Sequence, residues 1–186
     1  DRGWLRREPR ALAAGGDPVH VDRERIGDPR ARLFLDQHLQ QRRILADFYA
    51  LLPEEHYDYR LVDRPDRRAD SPRESLAHIL YVHEVYVRAA RTGVLAFDGV
   101  GERRCPDDSK RALLEELERL GAELVELLCD LCFDLDAPVE APWGHESALS
   151  TLYLIRDHDI LHVGWNLAVM DHLGMERFPS LREYWG

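Results

Sequence analysis

The sequence is short of lysine and of clustered positive charge. Lys110 is the single lysine, and the other basic residues are arginines dispersed among 35 acidic residues. The formal net charge is −10. A nucleic-acid-binding protein needs local positive charge to displace counterions from phosphates. The composition therefore predicts no nucleic-acid partner.

Cysteine is also scarce. The sequence has three cysteines, Cys105, Cys129 and Cys132, which is an odd number and too few for a disulfide scaffold. Cys129 and Cys132 form a CxxC motif inside an apolar helical stretch, without a second pair to complete a zinc knot. The spacing is therefore more typical of buried or half-buried thiols.

Long apolar runs are missing as well. No run reaches the roughly 18 residues expected of a membrane-spanning helix. The start of the sequence, DRGWLRREPR, is charged and lacks the apolar core of a secretion signal. These features predict a cytoplasmic protein without a membrane partner.

Four stretches show helical periodicity of their apolar residues, and no strand pattern is evident. Gly, Pro and charged residues without periodicity predict an irregular N-terminal arm over residues 1–27. The rest, residues 28–186, is predicted to be one all-α domain, a four-helix bundle. The predicted helices cover residues 28–52, 71–93, 108–131 and 147–170 or beyond.

The second of these helices has clear end signals. Ser71 is a predicted N-cap, Pro72 occupies the first helical position, and Glu74 completes a capping box. Gly93 follows the last helical residue, and Gly174 is placed in the same way after the fourth helix. These signals fix where each helix begins or ends.

The stretch RDHDILHVGW carries the main functional signal. His158 and His162 are four residues apart on a helix, so their rings point towards one spot. This is the spacing that a divalent ion needs. Buried imidazoles bonded to backbone or water are the structural alternative. The pair is therefore interpreted as half of a metal site.

A third ligand is needed for a typical open site. His78 borders the apolar face of the second helix and is the best candidate. His83 lies about 140° around that helix from His78, so the two cannot easily share an ion. His38 and His172 are weaker candidates. Three further histidines fall in loops and are predicted to be solvated: His20, His56 and His145.

Two polar residues stand near His162 along the fourth helix. Asp159 and Asn166 lie three residues before and four residues after it, on the same side. Either is a candidate to accept the other ring N–H of His162 and fix its tautomer. Solvated roles remain open for both. Trp165 falls on the histidine face and is a candidate pocket residue.

In order and spacing, SPRESLAHIL, a PWG loop and HDILHVGWNL resemble the DinB-like superfamily, including its YfiT-type members. The resemblance covers roughly residues 30–175. It implies an up-and-down-type four-helix bundle in which His78, His158 and His162 bind one divalent metal, typically zinc, nickel or iron. Gly164 matches the glycine of the family motif, whereas Trp165 stands where glutamine is common.

The resemblance also suggests a chemistry. Characterised relatives are mostly transferases and isomerases that use low-molecular-weight thiols, and others are called metal-dependent hydrolases. It therefore implies a thiol S-transferase or hydrolase with a small-molecule substrate. The iron-dependent sulfoxide synthases of the superfamily have Glu where this sequence has Gly164. Asp159 is the acidic residue nearest to the histidine pair.

Two other functions remain open at this stage. HDILH resembles the HExxH motif of zinc proteases, with Asp159 in place of the catalytic glutamate. The second alternative is a non-catalytic bundle, metal-binding or stress-related, that forms a homodimer. The fourth helix favours a homodimer, because its apolar residues extend nearly all round and need covering on every side.

Overall fold

The computed structural model describes residues 23–97 and 108–185. The long helices are α1 (Pro29–Leu51), α2 (Pro72–Thr92), α3 (Lys110–Cys129) and α4 (Ala148–Leu173), and a short α5 covers Pro179–Trp185. Each long helix begins and ends within about three residues of its predicted limits. The prediction of an all-α four-helix bundle is confirmed.

The predicted end signals of α2 have the expected geometry. The Ser71 hydroxyl accepts a hydrogen bond from the Glu74 N–H, and the Glu74 carboxylate accepts one from the Ser71 N–H at 2.9 Å. Gly93 ends the helix with φ of 76°, in the left-handed region. A Cβ atom there would lie 3.2 Å from the carbonyl oxygen of Pro138. Glycine is therefore favoured by both conformation and space.

The helices pack as a square in which α1 contacts α4, α4 contacts α2, α2 contacts α3, and α3 contacts α1. Arg156 donates a hydrogen bond to Gln37, and the rings of Phe34 and Tyr153 pack edge to face, so α1 and α4 run in the same direction. Lys110, at the start of α3, bonds the carbonyl of Leu52 at the end of α1. The direction order is therefore up, down, down, up, with α2 and α3 parallel, rather than the strictly alternating order of an up-and-down bundle.

Two short hairpins were not predicted. β1 (Asp63–Arg64) pairs with β2 (Arg67–Arg68), and β3 (Pro138–Ala141) pairs with β4 (Gly144–Ser147). Strands of two to four residues are too short to show an alternating pattern. The second hairpin leads directly into α4 and is tied to the end of α2 by a bridge between Val94 and Glu140.

The buried core consists of two apolar clusters, one towards each end of the bundle. A belt of buried polar side chains lies between them, contributed by α1, α2 and α4. Its members are at most 8% exposed: His38, Gln41, Arg42, His83, Asp159 and Asn166. This belt lies at the level of the histidines that the sequence singles out.

The predicted N-terminal arm falls mostly outside the described residues. Within residues 23–27, Arg23–Arg25 forms a short 3-10 turn, and Ile26 is fully buried. In the described part of the chain, no helix combines the length and apolarity needed to span a membrane. Both cysteines of the CxxC motif are free thiols, half-buried at Cys129 and exposed at Cys132.

Candidate metal centre

Three histidines meet between α2 and α4. Nε2 of His158 lies 3.1 Å from Nε2 of His78 and 3.3 Å from Nε2 of His162. All three ligand atoms lie within 4.8 Å of one another. His78 is exposed and the other two are half-buried. Among the described residues, no other group of three histidine, cysteine or acidic side chains brings its ligand atoms as close.

These separations fit the edges of a small coordination polyhedron. Ligand nitrogens at about 2.0–2.1 Å from zinc lie about 3.3 Å apart in a tetrahedron and about 3.0 Å apart in an octahedron. The two shorter Nε2–Nε2 distances here fall in that range. In the absence of an ion, neighbouring imidazoles at such distances share a proton as N–H···N hydrogen bonds. The residues present therefore fit a divalent cation.

The surroundings keep two of these imidazoles neutral. Burial lowers the pKa of His158 to about 3, and the neighbouring imidazoles and Arg42 add to the effect. Burial also lowers the pKa of His162 to about 4, with His78 adding to it. A neutral imidazole has a free lone pair on one nitrogen, which is the form that binds a metal.

The other ring nitrogen of His162 contacts a buried hydroxyl. Nδ1 of His162 lies 2.8 Å from Oγ of Ser75, and the Tyr49 hydroxyl donates to the same Oγ at 3.1 Å. The sequence had offered Asp159 or Asn166 for this position, but the side chain of neither hydrogen-bonds the ring of His162. In the sequence, the only indication of a role for Ser75 is its position one turn before His78 on α2. Nothing in the sequence indicates a role for Tyr49.

Asp159 instead faces the polar belt in the centre of the bundle. Its Oδ2 lies 3.1 Å from Nη2 of Arg42 and 3.7 Å from Nδ1 of His38, and the side chain is 1% exposed. A residue turned into the core cannot serve as a base at a solvent-facing site. The zinc-protease interpretation of HDILH is therefore wrong, and within the described residues the strands form two short hairpins rather than the sheet of that class.

The remaining histidines do not join the group. His83 accepts a hydrogen bond from Arg42 at 2.7 Å in the core, and His38 is equally buried beside Asp159. His172 is exposed, and its ring lies tilted against that of Tyr59. Outside the core, His145 is exposed and His56 is half-buried, whereas His20 lies outside the described residues.

Two further residues of the sequence motif lie beside the histidines on α4. Trp165 is half-buried and packs against the apolar cluster at the far end of α4. Gly164 is exposed, and a Cβ built on it meets no atom within 4 Å. Packing among the described residues therefore does not require glycine at position 164.

Comparison with known proteins agrees with this architecture. The chain is similar in fold to a DinB-like protein from Bacillus subtilis, YjoA, with a TM-score of 0.60 and 18% sequence identity over 79% of this chain and 95% of that one. The comparison with curated proteins gave no match. The model of the DinB superfamily matches residues 37–165, which is more than half of the sequence. The chain therefore belongs to the DinB superfamily.

Proposed function

We propose that His78, His158 and His162 bind one divalent transition-metal ion, zinc, nickel or iron, and that the protein is a metal-dependent enzyme. The observation that carries this proposal is the convergence of three Nε2 atoms at coordination distances. A cluster of neutral imidazoles, without a carboxylate among them, leaves the ion its full positive charge.

The position of the site favours catalysis over a purely structural ion. Structural zinc sites are normally closed by four protein ligands, whereas catalytic sites use three and leave a position for water or substrate. Here the exposed side chain of His78 lies at the surface of the bundle. A small molecule can therefore reach the three histidines without opening the core.

The charge that such an ion would supply supports the substrate class that the resemblance implies. A divalent ion at this site lowers the pKa of a water molecule or a thiol that approaches it. We infer that the reaction is transfer to a low-molecular-weight thiol or hydrolysis of a small molecule. The chain's own part is to hold the three Nε2 atoms in place and to present them to solvent.

Two further proposals concern location and assembly. We place the protein in the cytoplasm, where low-molecular-weight thiols remain reduced. A homodimer is the proposed assembly, and Leu161, which is 72% exposed on α4, is the apolar side chain that it would cover. Sedimentation equilibrium of the wild type and Leu161→Glu tests the dimer, because a monomeric wild type contradicts it.

The metal content of tag-free protein tests the site itself. We expect about one equivalent of zinc, nickel or iron in the wild type, and its loss in His78→Ala and His162→Ala, because two imidazoles bind weakly. His145→Ala, on an exposed hairpin, is the matched control and should keep its metal. A wild type that takes up no ion from zinc, nickel or iron(II) solutions contradicts the proposal.

Cobalt substitution separates the two reaction types. We expect cysteine, bacillithiol or mycothiol, added to the cobalt-loaded wild type, to produce a sulfur-to-cobalt charge-transfer band if the enzyme is a thiol transferase. No band with any of these thiols would rule against transfer to a metal-held thiol and would favour hydrolysis.

A further inference from the structure

A chain of buried hydroxyl groups leads from α1 through α2 to His162 on α4. The Tyr49 hydroxyl donates to Oγ of Ser75, and that Oγ lies 2.8 Å from Nδ1 of His162. Tyr57 in turn donates from its hydroxyl to the carbonyl oxygen of Tyr49 at 2.8 Å. The side chains of Tyr49, Ser75 and Tyr57 are each at most 1% exposed.

The direction of the bond between Ser75 and His162 decides which nitrogen of the ring carries the proton. If the serine donates, Nδ1 is the acceptor and Nε2 carries the hydrogen. If Nδ1–H donates to the serine oxygen, Nε2 has the free lone pair. Only the second tautomer can bind a cation through Nε2, the atom that meets the other two histidines.

We propose that Ser75 and Tyr49 are positioning residues that hold His162 in the metal-binding tautomer and ring orientation. This inference rests on the proposed function. Ser75 accepts the Nδ1 proton, and the hydroxyl of Tyr49 occupies the second lone pair of the serine oxygen. With both lone pairs engaged, the serine oxygen is fixed in place, and the ring of His162 is fixed with it.

The arrangement links three helices at the point where the ion is expected. A histidine that ligates a metal commonly donates its other N–H to an oxygen, and loss of that oxygen weakens metal binding about 10–100-fold. His78 and Ser75 lie on the same helix, one turn apart. A small rotation of α2 would therefore move a ligand and the support of another ligand together.

Metal affinity and tautomer state provide the test. Zinc dissociation constants are measured by competition with a chromophoric chelator for the wild type, Ser75→Ala and Tyr49→Phe. Long-range proton–nitrogen correlation spectra of the zinc-loaded proteins report the Nδ1 proton of His162. The matched control is Ser180→Ala, which loses a buried hydroxyl that bonds Asp47 and does not reach the histidines.

We expect zinc binding to weaken about 10–100-fold in Ser75→Ala and less in Tyr49→Phe, since the serine still accepts the proton. The Nδ1 proton of His162 should shift and exchange faster with water in Ser75→Ala. The Ser180→Ala control should behave like the wild type.

Three results would overturn the inference. Ser75→Ala with wild-type affinity and an unchanged Nδ1 signal would remove the positioning role while leaving the proposed metal site intact. An equal loss of affinity in Ser75→Ala and Ser180→Ala would show a general structural effect. A wild type that binds no zinc, nickel or iron would reject the proposed function and this inference with it.

Discussion

At the scale of single residues, Arg42 has an unusual environment for a guanidinium group. It is 7% exposed, and its Nη2 lies 3.1 Å from Asp159 and 2.7 Å from Nδ1 of His83. Because Arg42 donates to Nδ1, His83 must carry its own proton on Nε2. The guanidinium of Arg42 on α1 therefore bonds both the carboxylate of Asp159 on α4 and the imidazole of His83 on α2.

The pKa of Asp159 reflects this burial. Burial raises it to about 6, and the charge and hydrogen bond of Arg42 oppose the rise. Burial likewise lowers the pKa of Arg42. Removing one partner of such a pair leaves a desolvated charge without compensation, whereas removing both avoids that cost.

Arg42→Met is therefore expected to lower the free energy of unfolding by about 3–5 kcal/mol, because Asp159 loses its partner. The double variant Arg42→Met/Asp159→Leu should recover part of this loss. Urea unfolding of metal-free protein measures both. Arg30→Met is the control, since Arg30 pairs with Asp136 at the surface and should change little. An additive double variant would contradict the buried-pair account.

Residue-level roles were only partly predictable. The pairing of His158 with His162 follows from the geometry of a single helix, and the structure brings His78 to them as expected. Ser75 was missed because a helical serine three residues before a histidine has many possible partners. Asp159 was one of two candidates for His162 and faces Arg42 instead, because helical spacing gives an approximate direction and does not identify the contact across the bundle.

At the scale of elements, the glycines of the long helices divide into two kinds. Gly93 ends α2 in the left-handed region, close to the Pro138 carbonyl. Gly121 in α3 and Gly164 in α4 are helical, and an added Cβ on either would meet no atom of the described residues within 4 Å. Alanine should thus have opposite effects at the two kinds of position.

Gly93→Ala is expected to destabilise the protein by about 1–2 kcal/mol, the cost of a left-handed L-residue. Gly121→Ala and Gly164→Ala are expected to stabilise it by about 0.5–1 kcal/mol each, since alanine favours the helix. Thermal and urea unfolding of metal-free protein measure all three changes. Destabilisation by Gly164→Ala would show that position 164 is more tightly packed than the structure indicates.

The helices were the most predictable elements because their end signals act locally. Ser71, Glu74 and Gly93 define α2 through bonds within a few residues of each end. The hairpins were not predictable because their pairing depends on contacts with other elements. The bridge between Val94 and Glu140, 46 residues apart in the sequence, is such a contact.

At the scale of the whole molecule, the two buried histidines of the polar belt predict that the free energy of unfolding falls in acid. Burial lowers the pKa of His38 and of His83 well below the ordinary value of 6.5, and the charge of Arg42 adds to both shifts. Below pH 6.5 the unfolded chain therefore binds more protons than the folded protein. The contribution of His38 and His83 to the free energy of unfolding is therefore present above pH 6.5 and is lost as the pH falls below it.

Asp159 has the opposite effect because its folded pKa is raised. It contributes stability below about pH 4 that is lost as the pH rises through 6. Within pH 4–6 it offsets one histidine, and His38 and His83 together outweigh it. We expect the free energy of unfolding of chelator-treated protein to fall between pH 7 and pH 4.5.

Urea unfolding at several pH values measures this slope. The matched variant is His38→Leu, in which one buried imidazole is absent, and its slope should be shallower than that of the wild type. A stability that stays constant from pH 7 to pH 4.5 would mean that the buried histidines are already protonated in the folded protein.

The sequence by itself determined the four helices, their limits and the pair His158 and His162, because these depend on interactions within a few residues. The tertiary structure decided which distant groups meet. It brings His78, rather than His38 or His83, to the histidine pair. It also places Ser75 beside His162 and directs Asp159 towards Arg42. Such contacts depend on helix direction and rotation, which are set by packing of the whole core.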